Sequence, residues 1–429
     1  MPSTSRSLGL FSVIAMVVSL QLGFGMFLLP SLLAPYGFLG ISSWLISGVG
    51  AMVLCHVFSA LSQAHPMVGG PHMYIGAAFG KRWAFYVGWT YWVLGWLASA
   101  PLVMMALHSL ENLLHPWVVF GLISRIGFQM ILLWALMMLN IRGSQLSGLG
   151  ERLFGVLKIL PLIILPLISI PFWSTDLLTA PITDTPLVAV NGASLLTFWG
   201  FVGLEAGTTI ADSVKDPKKI IPRALFWGTV LVLAVYIMNT TSILAVVPRD
   251  VLMKTPNSYG ALLDRCCGSG WGKLIDLTMF IVCIGSLNSW ILAGGSVIAS
   301  GAKSHIFPSF FGQMNRYNSP AIGIKFTTLC LLSCVMVMHN QTLYNKIERI
   351  ISLSTALYMA IYLLSVAALV HLIRTNRVPN TLLLMGSIGL SGLFCLWIVT
   401  SLDWTCLVFS LCIPLIGYGF ARFFRWPVR

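Results

Sequence analysis

The sequence predicts an all-α polytopic membrane protein of about twelve transmembrane helices, and three observations predict it. Of its 429 residues, 57% are hydrophobic and only 9% charged, against about 25% charged in ordinary soluble domains. The apolar residues gather in runs near the roughly 20 residues that cross a hydrocarbon core of about 30 Å. Basic residues punctuate those runs instead of clustering. In hydrocarbon only helices and closed barrels satisfy the backbone, and these run lengths are those of helices. The composition excludes a disordered chain and a nucleic-acid-binding domain, and argues strongly against a soluble enzyme. The formal charge of +13 lies in separate loops and forms no basic patch.

In chain order the predicted spans are 9–35, 39–62, 84–107, 117–139, 152–172, 187–211, 224–247, 272–301, 321–338, 349–371, 380–400 and 403–424. The first carries a Gly-Phe-Gly break where a secretory signal would carry a cleavage site, so it reads as a span. Short loops such as Pro35-Tyr36-Gly37 and Arg374-Thr375-Asn376-Arg377 separate the runs. With the N-terminus in the cytoplasm, seventeen of the 25 Lys and Arg fall on cytoplasmic segments and six on outer ones, leaving Arg125 and Lys158 within spans. That bias predicts both termini on the cytoplasmic side of the membrane. The nine cysteines show no zinc spacing and read as small buried hydrophobes, except the loop pair Cys266-Cys267. No metal or cofactor is expected.

Spans 1 and 6 are interrupted by glycine at corresponding places: Gly23-Phe24-Gly25-Met26 and Gly200-Phe201-Val202-Gly203-Leu204-Glu205. With five spans between their starts, the second half enters the membrane from the opposite side. The domain expectation is a first repeat over 8–172, an inverted second repeat over 187–371 and two further spans over 380–424. Paired glycine-interrupted spans in inverted halves point to a transport site. Unwinding frees backbone N–H and C=O groups near the midplane. Half-helix N-termini attract a carboxylate and C-terminal carbonyls an ammonium. An α-amino acid carries both. The competing explanation is that glycine merely lets helices approach closely.

Two charges sit deep. Glu205 follows the span 6 break, and a carboxyl at that depth is a candidate to take up and release a proton. Lys158, in span 5, either supplies a fixed positive charge beside span 1 or snorkels to the inner interface. Arg125 is expected to snorkel outward, and Asp276 and Asp212 to lie at the interface. Trp199 and Trp290 lie deeper than the interfacial aromatic belt and are candidates to gate a pocket or stack on a cation, the alternative being core packing.

Gly23-Phe24-Gly25-Met26-Phe27-Leu28-Leu29-Pro30 resembles the span 1 signature of the amino acid–polyamine–organocation (APC) superfamily. Trp199–Glu205 with Val214-Lys215-Asp216-Pro217 resembles its span 6 and the following loop. Pro66, Gly69, Gly70 and Tyr74 resemble the loop after span 2, and Gly285-Ser286-Leu287 with Trp290 its span 8. The resemblance covers nearly the whole chain and is closest to the basic amino acid/polyamine antiporter branch, the bacterial arginine/agmatine antiporter among them. It implies a five-plus-five inverted-repeat (LeuT-like) bundle with broken helices 1 and 6 and two C-terminal helices, often dimeric. It implies that the backbone of Phe24, Gly25 and Met26 holds the substrate carboxylate, with Gly23 beside them in the substrate site. The carbonyls around Trp199, Gly200 and Val202 hold the amino group, and Tyr91, Trp199 and Trp290 gate and stack. Ser99, Leu102 and Ser352 line the side-chain pocket, and Glu205 senses protons. The sequence departs from the antiporter pattern at Phe24 (for Ser), Ser99 (for Asn) and Gly200 (for Ser). Lys158 is a further departure, resembling the span 5 lysine of proton-coupled or sodium-independent permeases.

The expected function is a secondary amino acid transporter working by alternating access, exchanging a cationic amino acid for its amine. The alternative is proton-coupled uptake of a neutral amino acid. An intramembrane enzyme would need an in-span nucleophile or metal set, and the eight His form no His-x-x-x-His pair. A channel would need symmetric rings of charges or carbonyls. The partners expected are a small amino acid or amine, the bilayer and a second copy, with no nucleic acid.

Overall fold

The computed structural model describes all residues except 1–8, 65–69, 144–147, 180–184, 206–213, 215, 256, 305, 339–342 and 424–429. Pro66, Gly69, Asp212 and Lys215 of the sequence motifs lie outside the described residues.

Helices make up the described chain, with no strand among them. The first half contains α1 (Leu10–Gln21), α2 (Leu29–Leu33), α3 (Phe38–Ala64), α4 (Pro71–Phe79), α5 (Lys81–Leu97), α6 (Ala100–Leu114), α7 (Leu122–Ile141) and α8 (Gly148–Ser169). The second contains α9 (Pro186–Trp199), α10 (Pro217–Val246), α11 (Arg249–Leu252), α12 (Ser258–Cys267), α13 (Gly272–Lys303), α14 (Ala321–Val337) and α15 (Leu343–Arg374). Two more, α16 (Leu382–Val399) and α17 (Trp404–Phe423), complete it. Eight helical segments are long and apolar enough to cross a bilayer, and four shorter apolar ones fall at Leu10–Ser19, Leu157–Phe172, Pro186–Trp199 and Ala321–Val337. Together they occupy the twelve predicted runs. Two of the short ones have a physical cause: α1 has 12 residues and α9 has 14, a rise of about 18–21 Å and so little more than half a crossing. Both stop at the predicted glycine breaks.

Span 3 is two helices. Pro101 lacks the N–H that would continue an i→i−4 ladder, and the chain turns at Ala98–Ser99 between α5 and α6. In α8, Pro166 likewise leaves the Leu162 carbonyl without its helical donor. Asn239 of α10 fills it, its Nδ2 donating to Leu162 O at 2.9 Å while its Oδ1 accepts from the Tyr259 hydroxyl at 3.1 Å. A proline in one span is thus matched by an amide in another, as a bilayer without water requires.

One continuous apolar core runs through the bundle. α3 packs on α9 and α10, α13 on α5, α6, α7 and α14, and α15 on α4, α5 and α9. Three short helices, α4, α11 and α12, lie in loops where no element was expected. Asp276, in the second turn of α13, is buried where Asn112 of α6 and Asn257 close over it, donating to its Oδ1 at 3.2 and 2.7 Å. Arg125 pairs with Glu111 of α6 at 2.6 Å.

Candidate transport site between the broken helices

The break in span 1 begins at Leu22, whose ψ of 68° leaves the helix, and Gly23 is extended. A 3-10 turn, Phe24–Phe27, restarts the coil before α2. Gly25 and Met26 thus stand in the first turn of a new helical segment, where backbone N–H groups lack intrahelical acceptors.

The break in span 6 has a different form. At the end of α9 the backbone switches to i→i−3 bonds: Gly200 N to Thr197 O (3.0 Å), Phe201 N to Phe198 O (2.9 Å) and Val202 N to Trp199 O (3.3 Å). Gly203 then takes φ of +99°, a conformation open to glycine and strained for other residues. Glu205 follows immediately and is fully buried.

The two breaks touch. The indole of Trp199 lies on Gly25 so closely that a Cβ built there would meet Cζ3 at 2.2 Å. Tyr236 of α10 links them from behind. Its hydroxyl lies 2.9 Å from Gln21 O, the last residue of α1, and 2.7 Å from Gly200 O, so one O–H is shared between the carbonyls of both breaks. Trp44 stacks on Tyr236 at 4.2 Å and anchors its own Nε1 on Thr240 at 2.9 Å. Phe201 meets both rings edge-on.

Glu205 joins two helices to the span 6 break. Its Oε2 accepts the Tyr362 hydroxyl of α15 at 2.5 Å and its Oε1 the Tyr91 hydroxyl of α5 at 3.2 Å. Short O–H···O contacts to a carboxylate are the strong, charge-assisted kind. Lys158 meets the other break: its Nζ donates to Ser19 O at 2.9 Å, in the last turn of α1.

Glu205, Tyr91, Trp199 and Gly25 of the predicted set are therefore tied to the breaks, and Lys158 to the end of α1. Other members stand around them on neighbouring helices. Ser99 is buried, but its hydroxyl donates back to Gly95 O at the α5–α6 turn. Leu102 is fully buried, Ser352 half-buried, and Trp290 is 42% exposed, so it is no core-packing residue. None of the described hydrogen bonds or ring contacts joins Trp290 or Ser352 to the breaks. Sequence reading missed Tyr236, Tyr362 and Gln21. The one available signal was a hydroxyl or amide inside an apolar run, which many spans offer.

The amino acid permease family model matches residues 8–419 of the chain. The chain belongs to the amino acid permease family. It is a multi-pass membrane protein of the APC superfamily. Among curated relatives, the putrescine transporter PotE of Haemophilus influenzae is 26% identical over 436 residues, 99% of each chain. The arginine/ornithine antiporter of Pseudomonas aeruginosa is 27% identical, over 78% of this chain and 72% of its own. The cadaverine/lysine antiporter of Escherichia coli is 26% identical, over 78% and 76%.

Proposed function

We propose that this permease is a secondary active transporter that works by alternating access and exchanges a cationic amino acid for its amine. The observation that carries the proposal is the meeting of two half-helices of opposite polarity at Gly25 and Trp199, held from behind by Tyr236. On this reading the N–H groups of Phe24, Gly25 and Met26 take the substrate carboxylate. The carbonyls of Trp199, Gly200 and Val202 take its ammonium. Trp199, Trp290 and Tyr91 enclose it, with Gly23, Ser99, Leu102 and Ser352 around the rest. The relatives named for putrescine, arginine/ornithine and cadaverine/lysine support a basic amino acid or diamine substrate. The reading also takes 8–172 and 187–371 as inverted repeats, both termini as cytoplasmic and the working unit as a dimer in a bacterial inner membrane.

Glu205 is proposed as the proton-coupling group, because movement of its proton would make or break the contacts that join α5 and α15 to the span 6 break. One observation favours a second reading. Lys158 already holds a carbonyl at the end of α1, and a fixed cation there suits proton-linked uptake of a neutral amino acid.

Counterflow in proteoliposomes tests both. Vesicles preloaded in turn with arginine, lysine, ornithine, agmatine, putrescine, cadaverine and neutral amino acids should exchange only with the basic set. Exchange confined to neutral substrates would replace the first reading with the second. Glu205→Gln should flatten the pH profile while the protein still inserts; an unchanged profile removes the proton role.

A further inference from the structure

A cleft of about 380 Å³ lies away from the two breaks, between the ends of α7 and α13 and the 314–320 loop. Ser296, Ser300 and Lys303 of α13 form one wall, spaced by helical turns so that they share a face. Tyr317, Asn318 and Ser319 form the other. This cleft sits where both helices end, so it lies at a membrane–water boundary.

The walls are built in advance. Asn315 Nδ2 donates to Ile141 O at 2.6 Å, and Asn315 Oδ1 accepts from Tyr317 N and Ser319 N at 2.9 and 3.0 Å. Ser319 Oγ donates to Asn140 O at 2.9 Å. The loop is thus stapled to the end of α7, and little ordering remains to be done when a ligand enters.

The charge is of one sign. Lys303 lines the cleft and, among the described residues, has no hydrogen-bond or ion-pair partner. The Arg316 guanidinium lies over the Tyr317 ring at 4.7 Å and donates to its hydroxyl at 2.6 Å, which places a second cation at the rim. Arg142 directly precedes Gly143, another lining residue, and is exposed. Among the described residues, no carboxylate lines the cleft. Hydroxyls and cations without an acid make a receptor for an anion with several acceptor oxygens. Leu292 and Met314 add apolar surface beside it, and Met314 and Tyr317 are exposed at the mouth.

We propose that this cleft binds the phosphate headgroup of an anionic phospholipid, with Lys303 and Arg316 on the phosphate and the acyl chains running along the apolar side. Basic pockets between transmembrane helices at the membrane surface are suited to such headgroups. A free phosphate ion shares the chemistry but would leave the apolar lining unused.

The test is thermal stabilisation of the full-length purified protein in detergent by short-chain dioctanoyl phosphatidylglycerol. Dioctanoyl phosphatidylcholine and inorganic phosphate are the comparison arms. Saturable stabilisation by phosphatidylglycerol alone is expected, weakened about fivefold in half-saturating concentration by Lys303→Gln and by Arg316→Gln, and retained by Lys303→Arg. Ser296→Leu, which fills the cleft without altering charge, should also weaken it and guards against a purely nonspecific charge effect. Equal stabilisation by phosphatidylcholine, or no change in Lys303→Gln and Ser296→Leu, overturns the site. Equal stabilisation by inorganic phosphate overturns the lipid assignment.

Discussion

Gly25→Ala tests whether the two broken helices work as one unit. The new Cβ would stand 2.2 Å from Trp199 Cζ3 and 3.0 Å from Cε3 and Cη2. Non-bonded carbons settle at about 3.5–4.0 Å, so the indole must retreat by roughly 1.3 Å or more. Trp199 is 8% exposed and belongs to the core, and forcing extra volume into packed surroundings costs about 1–3 kcal/mol, roughly a 5- to 150-fold change in an equilibrium. Exchange should therefore fall by about tenfold. The assay is initial counterflow rate against substrate concentration, normalised to protein reconstituted. Trp199→Leu supplies the second corner of a double-mutant cycle. Without the indole the Cβ has nothing to strike, so Gly25→Ala should add little in that background. Wild-type rate and affinity in the single variant, or the same loss in both backgrounds, would refute the reasoning.

Tyr236→Phe should lower exchange about tenfold while the protein remains folded, because one hydroxyl serves the Gln21 and Gly200 carbonyls at once and its loss leaves Gln21 O to Gly23 N alone and takes the hydroxyl donor from Gly200 O, at about 1–3 kcal/mol. Parallel measurement of transport and melting temperature separates that from general destabilisation. Asp276→Leu leaves the Asn257 amide without its acceptor and Asn112 with His108 alone and should cost about 2 kcal/mol of stability, read as a drop in detergent-solubilised melting temperature. In the α4 loop helix, burial pushes the His72 imidazole down to about 4 from its usual 6.5, and among the described residues its Nδ1 has no hydrogen-bond partner. A histidine held neutral contributes stability that is present above about pH 6.5 and lost as pH falls toward 4, about 3 kcal/mol in all. His72→Phe should flatten the fall in melting temperature over that window; an unaltered acid slope would show that His72 is not its source.

The bundle was legible because hydrocarbon imposes length. Among the described residues each predicted run holds at least one helix, and the breaks came where glycine permits them. Glu205 and Lys158 were legible because charge at depth is rare. Tyr236 and Tyr362 were not, since a hydroxyl in an apolar run has no pattern until its partner is known, and Tyr236 finds its two partners 215 and 36 residues away. The amides that cover Asp276 were not legible for a related reason: Asn257 and Asn112 come from segments whose packing a linear reading does not supply.

The carbonyls that end α1 bear on which substrate group binds where. A helix leaves its last four C=O groups without intrahelical donors, and together they carry partial negative charge. Here Val18 O receives Leu22 N at 2.8 Å, Ser19 O receives Lys158 Nζ at 2.9 Å, and Gln21 O receives Gly23 N at 2.7 Å as well as Tyr236. One of the chain's own cations therefore occupies the end of span 1 where an ammonium would otherwise be drawn. At span 6 the corresponding donors are neutral: backbone N–H groups for Thr197, Phe198 and Trp199, and the Tyr236 hydroxyl for Gly200. Carbonyls there keep a lone pair, and among the described residues no cation donates to them. In the proposed exchange the substrate ammonium accordingly belongs to span 6 and the carboxylate to the N–H groups at Gly25. An amino acid and its decarboxylated amine then share the span 6 contacts and differ in the span 1 contact alone, and Gly25→Ala should penalise the amino acid more than the amine.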